Sequence, residues 1–237
     1  MRKLNPGYKL LTLIIASLIL SSAYNIKLNL IVFFTAIILT LTTPRINRKY
    51  FALSMVPFLA AAFGMFMTGL IFPAAEGHGT MVGLLGERVI YATSLDSALK
   101  LTTRILAYGG LGMLFAFTTD SMDLIMSLMQ QFHMSAKFAY GILAAYHFFP
   151  VIKSEYKVLG AALKVRGIKA GPFSKKRLFP MIVHAVERSE SLAMAMESRG
   201  FDDKRPRGVA FRVPFNILDI VFLIAVNVLI IFGIILL

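Results

Sequence analysis

Six apolar stretches without a charged side chain recur along the chain: Leu10–Ile26, Leu28–Thr43, Phe51–Phe72, Ile105–Thr119, Phe138–Ile152 and Ile220–Leu237. A bilayer core of about 30 Å asks for about 20 helical residues. Phe51–Phe72 and the C-terminal stretch predict spans directly. Leu10–Ile26 and Leu28–Thr43 reach the length by borrowing flanking residues, with Tyr24-Asn25 as a tight hairpin between them. Ile105–Thr119 becomes long enough if it extends back through Leu101, with Lys100 and Arg104 snorkelling to the interface. The Arg2-Lys3 start imitates a signal peptide, but another apolar stretch follows almost at once, which makes the first stretch a span.

Between the fourth stretch and the last, the pattern changes from continuous to periodic. Thr119-Asp120-Ser121-Met122-Asp123 reads as a helix start, capped by Asp120 or Thr119, with acid near the positive end of the dipole. A short amphipathic helix through Leu124, Ile125, Leu128 and Met129 ends near Phe132-His133. A long helix then places Ile142, Ala145, Phe149, Ile152, Tyr156, Leu159 and Leu163 in steps of three and four; the next step is Arg166, followed by Gly167. After the turn signal Lys169-Ala170-Gly171-Pro172, a second long helix repeats the rhythm with Leu178, Ile182, Ala185, Ser189, Leu192 and Met196. Its next step is Arg199, followed by Gly200. Such spacing lays an apolar seam along one face, and the small Ala185, Ser189 and Ala193 predict a close crossing of the two helices. Glycine supplies the left-handed closing residue. One device is thus written twice: a seam, an arginine in phase with it, and a stop.

Composition and charge decide the setting. Hydrophobic residues make up 57%, charged residues 16%, and charge in a typical soluble domain is roughly 25%. A disordered chain or an ordinary globular enzyme does not fit. The formal charge of +13 comes from 25 basic against 12 acidic residues. If Phe138–Ile152 does not span, all the basic residues except Lys27, Arg88, Lys100 and Arg104 share one side; if it spans, most fall outside. Positive charge accumulates on cytoplasmic loops, which favours the first topology. The predicted fold is therefore an all-α polytopic membrane protein with five spans. Residues 1–119 form an N-terminal membrane domain of four spans, 120–212 a cytoplasmic coupling-helix module, and 213–237 a C-terminal transmembrane helix; the N-terminus is cytoplasmic. With no cysteine there is no disulfide framework, thiolate metal site or cysteine nucleophile.

The repeated device is where the chain resembles a known family: the transmembrane (T) subunit of energy-coupling factor (ECF) transporters, which includes cobalt-transport permease-like proteins. The family signature is a pair of Ala-Arg-Gly motifs closing two cytoplasmic coupling helices. Here they read Val165-Arg166-Gly167 and Ser198-Arg199-Gly200, neither with the alanine; Thr118-Thr119-Asp120 with Leu124, and Phe148-Phe149-Pro150, are also similar. The resemblance implies a bacterial or archaeal cell-membrane protein that holds two cytoplasmic ABC ATPase subunits, identical or different, and one membrane substrate-binding (S) subunit. Arg166 and Arg199 would each enter an acidic groove on one ATPase, and the cargo (vitamins, vitamin precursors, cobalt or nickel) would be handled by the S subunit. No cofactor and no catalysis by this chain are implied.

Other features compete for attention. Lys175-Lys176-Arg177 with Lys204-Arg205 and Arg207 fits anionic lipid heads; no aromatic-interleaved module accompanies it, which argues against nucleic acid. Asp120 and Asp123 could form half of a magnesium site in a membrane phosphotransferase or prenyltransferase, the competing reading, but helix capping accounts for them more simply. His78, His133, His147 and His184 have no metal-ligand spacing. The glycine run from Gly77 lacks the ending of a phosphate loop, and Pro73–Ser94 is expected to be an external loop, with room for a short interfacial helix. Small residues in the third span (Ala60, Ala61, Ala62, Gly64, Gly69) and the fourth (Gly109, Gly110, Gly112) offer close helix contact or a surface for the S subunit. Asp219 is expected to anchor the last span at the interface.

Overall fold

The computed structural model describes residues 4–43, 47–71, 81–85, 88–202, 208 and 212–236. Within them lie α1 (Pro6–Ser22), α2 (Ile26–Leu41), α3 (Arg48–Ile71), β1 (Met81–Leu85), β2 (Arg88–Tyr91), α4 (Ala92–Thr118), α5 (Ser121–Gln131), α6 (Ala136–Val165), α7 (Lys175–Ser198) and α8 (Ile217–Leu236). The chain divides into two compact units, Met1–Leu124 with Val213–Leu237, and Ile125–Arg212.

In the first unit, local chemistry sets the helix ends. Asn5 caps α1 by accepting from Gly7 N at 3.1 Å, with Pro6 at the first helical position, where its missing N–H costs nothing. Asn25 caps α2 through Lys27 N at 3.0 Å, so the break at Tyr24-Asn25 is a helix hairpin. By length and composition α3, α4 from Thr93 and α8 can cross a bilayer. At 17 and 16 residues, α1 and α2 are shorter apolar helices, packed on α8 and α4 respectively. Within the segment expected as an external loop, β1 pairs antiparallel with β2, and the chain enters α4 directly at Ala92. Met, Val, Leu, Ile and Tyr dominate both strands, residues that suit a pleated surface better than an open loop. The Gly77-His78-Gly79 part of the run lies outside the described residues.

The fourth helix is the centre of this unit, with α2 and α3 packed along it. Leu13, Ala36, Leu111 and Leu114 form one buried cluster; Ala16, Leu20, Leu28, Ala107 and Ile230 belong to another. Close approach depends on missing side chains. A Cβ on Gly69 would lie 2.5 Å from Ala98 Cα, and one on Gly109 would lie 2.7 Å from the Phe58 ring. Part of the small-residue pattern is therefore spent on internal packing.

Polar groups fasten the start of α1 to two places at once. Asp219, expected at the interface, is instead 2% exposed. Its two carboxylate oxygens accept from Asn5 N at 2.8 Å and Asn216 N at 2.9 Å, the backbone N–H groups that precede α1 and α8. One carboxylate thus satisfies both helix starts, with the spacing of a capping box on the α8 side. Asn5 Nδ2 also donates to Pro214 O at 3.3 Å, and Tyr8 lies 4.9 Å from Phe215, ring to ring. One turn later the buried Lys9 ammonium donates to Thr118 Oγ1 at the last residue of α4, where the helix dipole favours a cation. The first turn of α1 therefore clips together the end of α4 and the start of α8.

Removing the shared acceptor should be costly. Asp219→Ala is expected to destabilise the first unit by about 2–4 kcal/mol, from two charge-assisted hydrogen bonds and their stranded donors. Thermal unfolding in detergent checks this; an unchanged Tm would refute the clip.

Candidate functional site

The second unit presents α6 and α7 as an antiparallel pair, and the contacts give the order directly. Arg177 lies over the Tyr156 ring at 4.3 Å; His184 and Arg188 both reach Glu155; Arg188 lies 5.7 Å over Phe148; Phe201 meets Tyr140 at 5.8 Å. Numbers rise along α7 as they fall along α6. Tyr156 O–H also donates to Pro172 O at 3.1 Å, tying the connecting turn to the pair.

The crossing is polar. Glu155, with its side chain 15% exposed, takes His184 Nδ1 on one oxygen and Arg188 Nη1 on the other at 3.4 Å. The His184 hydrogen bond, aided by Arg188, holds the Glu155 carboxyl below the ordinary carboxylate range, against the opposite pull of burial. This corrects the seam-on-seam expectation in part: Tyr156 of the first seam meets Arg177, and Leu159, Leu163, Leu178, Leu192 and Met196 are half-buried, but the middle of each seam is open. Ala185 and Ser189 are exposed, Ile182 is 62% exposed and Phe149 70%. The polar contacts on α7 come from Arg177, His184 and Arg188, about one residue out of phase with the apolar seam. Arg177, grouped by sequence with the lipid-facing cluster, belongs to the crossing. Lys175 and Lys176 are exposed, and Lys204, Arg205 and Arg207 lie outside the described residues. Sequence reasoning left His184 among scattered histidines; its i, i+4 spacing with Arg188 was the available signal.

Both helix ends close in the same way. Gly167 has φ +71° and Gly200 φ +76°. After α6, Gly167 N donates to Lys164 O at 3.0 Å and Ile168 N to Leu163 O at 2.9 Å; after α7, Gly200 N donates to Glu197 O at 2.9 Å and Phe201 N to Met196 O at 2.9 Å. This is the Schellman pattern twice, register for register, with Arg166 and Arg199 at the C-cap. Both arginines are exposed at the negative end of their helix, and Val165 beside the first is 89% exposed. Ser198 Oγ turns back onto Ala195 O at 3.0 Å. Because the helices are antiparallel, the closures lie at opposite ends of the pair. The 24 residues of α7 make that helix alone about 36 Å long.

Asp120 is a cap: its Oδ1 accepts from Met122 N at 2.9 Å, and its carbonyl accepts the first helical bond, from Leu124 N. Asp123 lies in the first turn of α5. Among the described residues no three His, Asp or Glu side chains gather at metal-binding distance.

A mostly helical chain with three helices long and apolar enough to cross a bilayer, and two shorter apolar ones among the described residues, has the make-up of a polytopic membrane protein. The family model for cobalt transport protein (CbiQ) matches residues 1–208, and the chain belongs to that family. No curated protein matches the chain.

The Glu155 contact makes the helix pair pH-sensitive with a defined sign. Its folded-state carboxyl value lies below the ordinary one, so its stabilisation is complete above about pH 4.3 and fades as pH falls through the folded value. Spin labels on Val158→Cys and Val183→Cys, introduced into this cysteine-free chain, should report separation of α6 from α7 on acidification, and Glu155→Gln should report it already at neutral pH. The closures are tested by Gly200→Ala, expected to fray the end of α7 by about 1–2 kcal/mol in hydrogen-exchange protection, because left-handed backbone penalises a Cβ.

Proposed function

We propose that this chain is the energy-coupling transmembrane subunit of an ECF-type importer. In this reading it connects two cytoplasmic ABC ATPase subunits to a membrane substrate-binding S subunit and performs no catalysis itself. The observation that carries the reading is the twin closure: two arginines, each at a helix end closed in the same way, displayed at opposite ends of one helix pair. Each guanidinium enters a groove on one ATPase, where a carboxylate accepts two parallel N–H bonds that lysine cannot reproduce. The exposed C-cap position leaves the whole fork available for a partner.

Nucleotide-driven closure of the ATPase pair would move the two docked ends relative to each other. A helix pair joined by a compact polar crossing at Glu155 passes that movement along its length instead of dispersing it. The description of the family points to cobalt as cargo, captured by the S subunit. The N-terminus, α6 and α7 lie on the cytoplasmic side in this topology, in keeping with the basic residues gathered there.

Arg166→Ala and Arg199→Ala should each weaken ATPase co-purification by tenfold or more, since charge pairs at measured interfaces couple with about 1.5–7 kcal/mol. Arg166→Lys and Arg199→Lys should recover only part of the loss. Uptake of cobalt by cells carrying the double alanine variant at the normal rate would refute the reading.

A further inference from the structure

Between α1 and α4 runs an open cleft of about 530 Å³, with Leu10 and Phe115 at one end and Ser21 and Tyr108 at the other. Leu10 to Ser21 is eleven helical steps, about 16 Å, close to the depth of one leaflet of a hydrocarbon core about 30 Å thick. Spread over that length, the volume leaves a mean cross-section of about 33 Å². A single extended hydrocarbon chain fits along such a cleft, whose lining is mostly apolar from Leu10 and Phe115 to Leu18. The floor is Gly112, around which a Cβ would meet nothing within 4 Å.

The Ser21 end is polar and cationic. Arg104 donates through Nη2 to Ser21 O and, at 2.9 Å, to Ser21 Oγ, and through Nε to Tyr108 O–H at 3.2 Å; its guanidinium lies 5.1 Å over the Tyr24 ring. Directly beyond lies a second hollow of about 520 Å³, lined by Tyr24, Lys27, Asp96 and Lys100. Lys100 pairs with Asp96 one turn away, so the surplus positive charge of this mouth comes from Arg104 and Lys27. Tyr108 lines the apolar cleft and Tyr24 the polar hollow, and Arg104 touches both.

We propose that this cleft and hollow form one binding site for an anionic phospholipid of the leaflet at the α1–α2 turn, with an acyl chain along the α1–α4 cleft and the headgroup phosphate at Arg104 and Lys27. Tail length, cleft width and charge all select the same ligand. A guanidinium at the edge of the hydrocarbon region gains a counter-charge there that no described carboxylate supplies to it. The site is independent of the arginine caps on α6 and α7.

The test uses the full chain, stripped of lipid in an uncharged detergent and titrated with phosphatidylglycerol or phosphatidylcholine, with bound lipid counted by native mass spectrometry. One phosphatidylglycerol should be retained more tightly than phosphatidylcholine, and glycerophosphoglycerol, the headgroup alone, should not be retained. Gly112→Leu fills the cleft without a clash in the helix and should abolish retention of either lipid. Arg104→Gln should reduce the preference for phosphatidylglycerol roughly fivefold, the factor set by losing one basic charge near an anionic head. Equal retention of the two lipids by the unmodified chain, unchanged retention in Gly112→Leu, or displacement of the lipid by a co-purifying membrane protein seated on α1 and α4 would each overturn the proposal.

Discussion

Two helices that run in opposite directions must finish at opposite ends, and the arrangement of the second unit follows from that constraint. Glu155, held by His184 and Arg188, joins α6 to α7 in antiparallel order. Given that order, two copies of the same terminator cannot lie side by side. Had the helices been parallel, both guanidinium groups would have crowded one surface, repelling each other and offering a single site. Antiparallel order turns a sequence repeat into two well-separated, outward-facing cations.

The terminators also explain why arginine can be shown without being spent. At the end of a helix the last carbonyls need partners, and a side chain is often drawn in to supply them. Here the backbone N–H groups of Gly167 and Ile168, and of Gly200 and Phe201, do this work. The arginine side chains contribute a favourable charge at the negative dipole end but are not needed to close the helix. Stability of the cap and availability of the guanidinium are thereby assigned to different atoms.

What could be read from the sequence was local. The break at Tyr24-Asn25, the Asp120 start of α5 and the glycine stops at 167 and 200 each depend on a few consecutive residues, and each appears where the pattern put it. The departures are non-local. Periodicity identifies the apolar face of α7 but not which face meets α6, and here the contact is polar because a carboxylate on one helix meets an i, i+4 His–Arg pair on the other. Asp219 looked like an interfacial residue because its second partner, Asn5, lies 214 positions away; only its capping-box half, Asn216 to Asp219, was within reach of a local reading. The β1–β2 hairpin lies within the stretch expected as an external loop with room for a short interfacial helix, and its pairing joins residues up to ten positions apart. The docking roles proposed for Arg166 and Arg199 rest on the family resemblance, since one arginine-glycine pair alone carries little information.

The clip at the start of α1 has a mechanical consequence. The polypeptide leaves the membrane bundle after Thr118 and re-enters it near Pro214, and both places are gripped by residues within a single turn, Asn5 to Lys9. A load applied to the intervening ninety-odd residues therefore cannot splay the two roots independently; any tug on one is shared with the other through the amino-terminal turn.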